Sequence, residues 1–363
     1  MEQNFTIIEP RVAILIPTRD RPEFIERTVH YYCDINSPHP IYIGDASSES
    51  LKHNISEWTK DSSLIVHYNN WPKLNASKTL TALAKAAKKD GEQFAAFHGD
   101  DDLFVPESLS KCANFLEQNS EYATAQGKAA LVTLDRSGPY GHIERTGKYW
   151  EKKEIIGETP LERLDEMLDN YFVAQFSVHR LGEFLDACKT FEKIPCDRWG
   201  EIYQSLIFSM QGKSKHFNVF YLMRHVHPDR NMWGGKPRST NILEWITTPT
   251  WYPSYQLVCE DLSIQLSDSG ISLPEIQDRI NEYLKKGLRI KLLSPRANFL
   301  YEIKNILKSH FPLLAFFKSW VGLQFKSTDD LSILINPKSK YYQEFSLISK
   351  GFAPNQNRAI PKD

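Results

Sequence analysis

Short apolar runs alternate with segments of helical spacing along the N-terminal third of the chain, and this order restricts it to a small set of folds. Residues 12–16, V-A-I-L-I, form a continuous apolar run, which is typical of a strand buried on both faces of a parallel sheet. Residues 23–32 follow with helical spacing. Strands and helices continue to alternate at residues 41–43, 51–58, 64–68, 76–89 and 94–97. This order predicts an α/β fold with a mostly parallel, right-handed sheet.

Polar residues directly follow three of these predicted strands. Thr18 and Arg19 come after the first strand, Asp45 ends the second, and an aspartate triplet follows the fourth. Ligands of open α/β sheets bind beyond the carboxyl ends of the strands. The three clusters therefore predict a ligand site at that edge.

The triplet is the densest of these clusters. Asp100, Asp101 and Asp102 stand in F-H-G-D-D-D-L-F-V-P, and adjacent carboxylates at a strand end repel one another unless a cation lies among them. Mg²⁺ is usually held by one or two carboxylates together with substrate phosphates. Two interpretations stay open, a metal–phosphate site and a solvated acidic turn before a helix that begins near Pro106.

Charge and cysteine content narrow the class of protein. The chain has 363 residues, enough for two domains, with 44 basic and 45 acidic residues, so it lacks the basic excess of a general nucleic-acid binder. Five cysteines without a C-x-x-C pair indicate reduced thiols in a cytoplasmic protein. The N-terminus does not follow the signal-peptide pattern, and no run approaches the roughly 18 apolar residues of a membrane span. We expect a cytoplasmic protein, at most peripheral at the inner face of the cell membrane.

Three motifs together resemble the nucleotide-sugar glycosyltransferases of family 2, which have the GT-A fold. They are P-T-R-D-R-P after the first strand, the Asp that ends the second, and D-D-D-x-x-x-P after the fourth. The D-R-P-E-F opening and the G-D-D-D variant of the D-x-D motif resemble a bacterial branch linked to surface polysaccharide assembly. The resemblance covers about residues 10–235. It implies a GT-A-like domain in residues 1–240, with residues 241–363 as a helical extension for oligomerisation, acceptor binding or membrane-surface contact.

The resemblance implies a donor site for a nucleotide sugar, with a UDP-sugar as the first choice. Asp45 would bind the uracil or ribose edge, although a turn or N-cap aspartate is the alternative. The implied nucleotide-sugar-binding residues are Pro17, Thr18, Arg19, Asp45, Lys78, Asp100, Asp101, Trp233 and Lys236. The last two belong to a predicted lid in residues 229–238, for which a plain surface loop is the alternative.

The resemblance also implies Mn²⁺ or Mg²⁺, held by Asp100, Asp102 and His227. The alignment of Asp101 and Asp102 on the family's D-A-D-D places its first Asp on Gly99, so the choice of carboxylates stays open. His225 and His227 alternate along the chain. On an extended segment they would point in opposite directions, and at most one would bind metal.

Residues 197–212 have the spacing of a helix, with Glu201 near its start. In inverting members of the resembled family a carboxylate at such a place deprotonates the acceptor hydroxyl, and the spacing to Gly212 and Lys213 agrees. The chemistry requires a base, for which Glu201 is the first choice and Asp197 the second. The alternative is a Glu that is merely favourable in a first helical turn.

The remaining segments give weaker signals. Residues 126–156 predict irregular strands and a loop, residues 173–178 a strand, residues 273–293 a helix, and the end from residue 351 a frayed tail. Residues 279–326 hold ten Lys or Arg and two Glu among apolar residues, which favours a helical tail packed on the domain or on a second copy. Contact with an anionic membrane is the alternative, and it suits a lipid-linked acceptor.

The sequence therefore predicts a glycosyltransferase acting on a glycan or lipid-linked acceptor. Metal-dependent nucleotidyl or phosphoryl transfer is a second hypothesis, weakened by the lack of a G-K-[ST] phosphate loop. A non-catalytic scaffold that binds glycan or nucleotide is the third.

Overall fold

The computed structural model describes residues 10–149, 154–227, 245–292 and 337–353. The strands in these ranges form one mixed sheet. The strands are β1 (Val12–Thr18), β2 (Ile41–Asp45), β3 (Val66–Asn70), β4 (Phe94–Phe97), β5 (Leu103–Phe104), β6 (Tyr122–Leu134), β7 (Ile143–Tyr149), β8 (Val178–Arg180) and β9 (Lys213–His225). Their order is β3-β2-β1-β4-β8-β6-β9-β5, and β7 pairs with β6.

Helices alternate with the strands along the chain, and further helices come after the last strand. They are α1 (Pro22–Asp34), α2 (Lys52–Thr59), α3 (Ala76–Lys89), α4 (Pro106–Gln118), α5 (Pro160–Asp169), α6 (Leu181–Phe191), α7 (Asp197–Gln211), α8 (Trp251–Gln265), α9 (Leu273–Leu292) and α10 (Tyr342–Phe352). Within the described ranges, no helix has the length and apolar character to cross a membrane.

The N-terminal half of the sheet is parallel, as the apolar runs predict. β1 lies between β2 and β4, with Ile14 opposite Ile41 and Val12 opposite Phe94. All seven residues of β1 are buried, because helices cover both faces of a parallel sheet. The predicted α/β class with C-terminal helices is confirmed.

The second half of the sheet agrees with its prediction in one segment and differs in another. The stretch predicted as irregular strands and a loop forms β6 and β7 with a loop between them, and β6 pairs in parallel with β9 with several shifts of register. The strand predicted at residues 173–178 is wrong, since Ala174–Phe176 is a 3-10 turn and β8 begins only at Val178. Tertiary hydrogen bonds stabilise this turn: Ala174 N donates to Ser205 Oγ, and Tyr221 donates to the Phe176 carbonyl.

The described residues after 245 pack on the sheet domain. Helix α8 contacts α7, and α9 contacts α5 and α8. Trp199 is fully buried beneath Trp245, Trp251 and Tyr255, at ring-centroid distances of 5.3, 5.7 and 5.8 Å. Trp245 and Trp251 thus form an aromatic patch with Trp199, whereas Tyr252 is 58% exposed and stacks on Tyr255.

Helix α10 returns to the first half of the chain. Ile348 and Phe352 are fully buried, and α10 packs on α1, β5 and β9. The amide of Gly141 donates to the Phe352 carbonyl at 2.9 Å. The expectation of fraying from residue 351 is wrong at its start, because Phe352 finds an apolar site that lies far away in sequence.

Gly200 shows how closely α7 packs on α6. A Cβ atom at Gly200 would lie 2.7 Å from Cδ2 of the buried Phe191 ring. We expect Gly200→Ala to destabilise the protein by about 1–3 kcal/mol in spite of the better helix propensity of alanine. The midpoint of urea unfolding measures the change. Gly182→Ala on α6 is the control, since nothing lies within 4 Å of its Cβ and its stability should be unchanged or slightly higher. Equal midpoints for the two variants would contradict the packing argument.

Candidate functional site

The polar residues that follow β1, β2 and β4 meet at one edge of the sheet. Thr18 is the register partner of Asp45 and donates from Oγ1 to Asp100 Oδ2 at 2.7 Å. Pro17 is buried in β1 beside Gly44. The prediction that these clusters share an edge is confirmed, and the roles of the individual residues stay predictions.

Asp45 is fully buried and its carboxylate organises the turn after β2. Oδ1 accepts hydrogen bonds from Ser47 N at 2.8 Å and Ser47 Oγ at 2.5 Å, and Oδ2 accepts from Tyr68 at 2.8 Å. Asp45 therefore acts as a turn aspartate, which was the alternative to its predicted contact with the nucleoside. Each carboxylate oxygen can accept more than one hydrogen bond, so the turn and a contact with nucleoside are compatible.

Two exposed cations flank this edge. Arg19 Nη2 donates to the Leu74 carbonyl at 2.9 Å, just before α3. Lys78 lies in the first turn of α3, where its backbone N–H donates to the Asn75 cap at 3.0 Å. Both side chains are open to solvent beside the amino end of a helix, which suits an anionic ligand.

Arg21, to which the sequence analysis assigned no role, lies among the aspartates. Its Nη1 contacts Asp100 Oδ1 at 2.5 Å and Asp101 Oδ2 at 3.1 Å. The guanidinium packs over the Phe24 ring at 3.9 Å from the centroid. The second arginine of P-T-R-D-R-P was the available signal, but its partners lie about 80 residues away.

Asp102 points toward β9. It is fully buried, accepts from Arg224 Nε at 3.2 Å and from His225 N at 3.3 Å, and Arg224 Nη1 donates to Tyr149 at 2.9 Å. Burial raises the pKa of Asp102 to about 7, against the lowering effect of Arg224. Arg224 is a second residue of this cluster to which the sequence analysis gave no role.

Asp100 and Asp101 differ in charge state. Burial and the neighbouring Asp101 raise the pKa of Asp100 to about 7. Burial alone would raise the pKa of Asp101 too, but the hydrogen bond to His227 and the Arg21 guanidinium hold it well below its usual range. Asp101 is thus the most firmly ionised member of the triplet.

His225 and His227 lie side by side, with ring centroids 3.7 Å apart. The expectation that they point in opposite directions is wrong, because β9 ends at His225 and the alternation of a strand ends with it. His227 Nε2 lies 3.2 Å from Asp101 Oδ2 and 3.3 Å from Arg21 Nη2. His225 packs on Phe352, and burial lowers its pKa.

The predicted metal ligands face different partners. Asp100 contacts Arg21, Asp102 contacts Arg224, and His227 contacts Asp101. Over the described ranges, no three His, Cys, Asp or Glu side chains are arranged to hold a metal ion. Because a guanidinium neutralises the carboxylates on which a divalent ion would depend, the residues in this arrangement do not fit that ion. The metal requirement stays a prediction.

Gly99 leaves no room for a side chain. A Cβ there would lie 2.8 Å from Asp102 Oδ2 and 2.9 Å from Asp101 Oδ1. An aspartate at this position would collide with the carboxylates of Asp101 and Asp102 and add a fourth carboxylate to the triplet. This explains glycine where the alignment of the motif places Asp.

The predicted base lies deeper in its helix than expected. Helix α7 begins at Asp197, so Glu201 is in the second turn, where the helix dipole contributes little. Glu201 is half-buried. Burial raises the pKa of Tyr149, Arg224 lowers it, and the charges of Glu201 and Asp102 raise it further. The charges of both Glu201 and Asp102 thus act on Tyr149, so Glu201 lies within electrostatic range of a residue of the aspartate cluster. The side chain of Asp197 and the predicted lid residues Trp233 and Lys236 lie outside the described residues.

Residues 13–165 match the model of a family described as glycosyl transferase family 2. The match agrees with the GT-A expectation and covers less than half of the chain. No curated protein matches the sequence.

Solved structures similar to the chain include S. aureus TarS, at a TM-score of 0.47 and 12% identity over 76% of this chain and 43% of that chain. They also include S. aureus TarS 1-349 in complex with UDP-GlcNAc, at a TM-score of 0.43 and 13% identity over 71% and 73%. The chain thus spans less than half of the length of the first of these structures.

Proposed function

We propose that this protein transfers a sugar from a nucleotide-sugar donor, first of all a UDP-sugar, to a hydroxyl of a glycan or lipid-linked glycan. The observation that carries the proposal is the meeting of Thr18, Asp45 and Asp100 at the carboxyl edge of the sheet, inside the stretch that matches the family model. Ligands of such sheets bind at this edge. Surface polysaccharide assembly is the setting that the bacterial motif variant suggests.

The donor would lie across β1 and β2 with its diphosphate toward α3. Asp45 lies beside the turn that would hold the nucleoside. The exposed cations Arg19 and Lys78 lie where phosphate oxygens would need charge-assisted hydrogen bonds. Trp233 and Lys236 stay predicted members of the donor site, and both lie outside the described residues.

The acceptor reaction needs one proton acceptor and one leaving group. Glu201 would take the proton of the acceptor hydroxyl while the oxygen of that hydroxyl bonds to the anomeric carbon. The bond from that carbon to the diphosphate breaks, and its electron pair leaves with the diphosphate. Attack from the face opposite to the leaving group gives inversion. Asp197, at the start of the same helix, is the second candidate base.

Calorimetric titration with UDP, GDP, ADP and UMP tests the donor class. We expect one nucleoside diphosphate to bind more tightly than its monophosphate. Arg19→Ala and Lys78→Ala should each weaken it about tenfold or more, because a hydrogen bond to a charged group contributes about 1.5–3 kcal/mol. Lys189→Ala on α6 is the control, as this exposed lysine pairs with Asp186 on the surface. Failure of every nucleotide to bind would favour the scaffold hypothesis.

Glu201→Gln tests the base. We expect kcat for release of nucleoside diphosphate to fall about 100-fold to 10,000-fold, since glutamine cannot accept the proton, while nucleotide affinity stays unchanged. Glu117→Gln, an exposed glutamate on α4, is the matched control. Full turnover of Glu201→Gln would exclude it as the base and direct attention to Asp197.

Membrane contact and a homo-oligomer belong to the same proposal. Most of the basic stretch that suggested them, residues 293–326, lies outside the described residues. Sedimentation of the full chain with anionic lipid vesicles, and its mass in solution, would test the two predictions separately.

A further inference from the structure

Arg21 is held at the centre of the aspartate cluster by contacts on several sides. Nη1 contacts Asp100 and Asp101, Nη2 contacts His227, and Phe24 lies beneath the guanidinium. The residue is only 8% exposed. A buried guanidinium shared by two carboxylates is therefore a built part of the cluster and differs from a surface ion pair.

The backbone directs Arg21 to this place. Asp20 adopts a left-handed conformation, with φ of 54°, and its N–H donates to Ser47 Oγ at 2.7 Å. Aspartate tolerates this conformation better than most residues. Arg21 then precedes α1, and its carbonyl accepts from Phe24 N and Ile25 N. The turn between β1 and α1 thus places the guanidinium over the end of β4.

The cluster has no excess negative charge. Even with Asp100, Asp101 and Asp102 all ionised, three arginines balance the three carboxylates. Arg21 and Arg224 make direct ion pairs. Arg27 is 1% exposed. Burial lowers its pKa to about 10, although the charges of the three aspartates, Asp101 most of all, act in the opposite direction. A divalent ion would add two positive charges to a cluster without excess negative charge, and would have to displace Arg21 from Asp101 and His227.

We propose that Arg21 takes the place of a divalent metal ion among the aspartates, so that this protein binds its nucleoside diphosphate without metal. Metal-free binding of a nucleoside diphosphate rests on the proposed function, whereas the place of Arg21 among the aspartates does not. Arginine suits the position because its guanidinium stays charged and offers five N–H donors. Asp100 and Asp101 use two of these donors and His227 faces at most one more, so two remain for an oxygen of the ligand.

The first experiment titrates Mn²⁺ into the full chain without nucleotide, followed by calorimetry and by the loss of the free-ion paramagnetic resonance signal. We expect no saturable binding to the natural protein at millimolar Mn²⁺. Arg21→Ala should gain one saturable site, because Asp100, Asp101 and His227 lose their shared cation. Arg21→Lys, which keeps the charge, should gain none. Addition of Asp101→Asn to Arg21→Ala should abolish the new site.

Saturable Mn²⁺ binding to the natural protein that Asp101→Asn removes would overturn the proposal. Should Arg21→Ala fail to fold, the titration of the natural protein still decides it. The second experiment compares the dissociation constant of the preferred nucleoside diphosphate in EDTA and in Mn²⁺. We expect equal values, and a tenfold tighter value in Mn²⁺ would overturn the metal-free binding. Absence of nucleotide binding in both solutions would contradict the proposed function and leave the Mn²⁺ result intact.

Discussion

Arg224→Met is expected to destabilise the protein by about 3 kcal/mol, at the low end of the range of about 3–5 kcal/mol for a broken buried ion pair. Asp102 is fully buried and would lose its cation, while Arg224 itself is 30% exposed and partly solvated. Tyr149 would lose its hydrogen bond from Arg224 as well. Equilibrium unfolding in urea, with an unchanged slope, measures the loss.

The loss should depend on pH with a defined sign. The pKa of Asp102 is about 7 in the folded protein and 3.8 as a free side chain, so folding favours its protonated form. Stability from such a group is fully present below pH 3.8 and is lost as the pH rises through 7. We therefore expect Arg224→Met to cost less at pH 5 than at pH 8, where ionised Asp102 would lack the charge of Arg224.

Arg136→Met is the matched control for this substitution. Arg136 pairs with Asp135 on the surface, where the two side chains are 49% and 35% exposed. Such a pair contributes about 0–1 kcal/mol, and its loss should not depend on pH between 5 and 8. Equal losses in the two variants would show that Asp102 finds another cation or reaches solvent when Arg224 is replaced.

Phe352→Ala is expected to destabilise the protein by about 3–5 kcal/mol, the usual cost of removing a fully buried phenylalanine. The ring lies 4.6 Å from the Arg27 guanidinium carbon and 5.5 Å from the His225 ring. Its removal would leave a cavity beside a buried cation that has few other contacts. Thermal and urea unfolding measure the loss.

Two further variants separate the causes of this effect. Phe352→Leu keeps most of the apolar volume and loses the cation–π contact, so it should cost less than Phe352→Ala. Gln343→Ala changes an exposed residue of the same helix and should leave stability within about 0.5 kcal/mol. If Phe352→Ala matched Gln343→Ala, α10 would not be a stable part of the domain.

The N-terminal elements followed closely from local patterns. The helix at Ala76–Lys89 and the strand at Phe94–Phe97 have the predicted bounds. Their apolar spacing and flanking turn residues are contained in the segments themselves. The patterns failed where distant partners decide the structure, as in the 3-10 turn at Ala174–Phe176 and the buried end of α10.

The candidate site was predictable in its place and only partly in its composition. Residues after strand ends identify an edge of the sheet, and the structure brings Thr18, Asp45 and Asp100 together there. Arg21 and Arg224 were not predicted, because an arginine carries no local sign of its partner. Glu201 was predicted to lie near the start of its helix, yet it lies in the second turn of α7.

The sequence by itself determined the order of buried strands and helices in the N-terminal third of the chain, since periodicity and turn residues act between near neighbours. It also determined that carboxylates follow a strand end. Only the tertiary structure decided which cation faces each aspartate: Arg21 and Asp100 are 79 residues apart, and Arg224 and Asp102 are 122 apart. The physical reason is that an ion pair depends on distance in space, and the pairing of β5 with β9 and the turn before α1 set that distance.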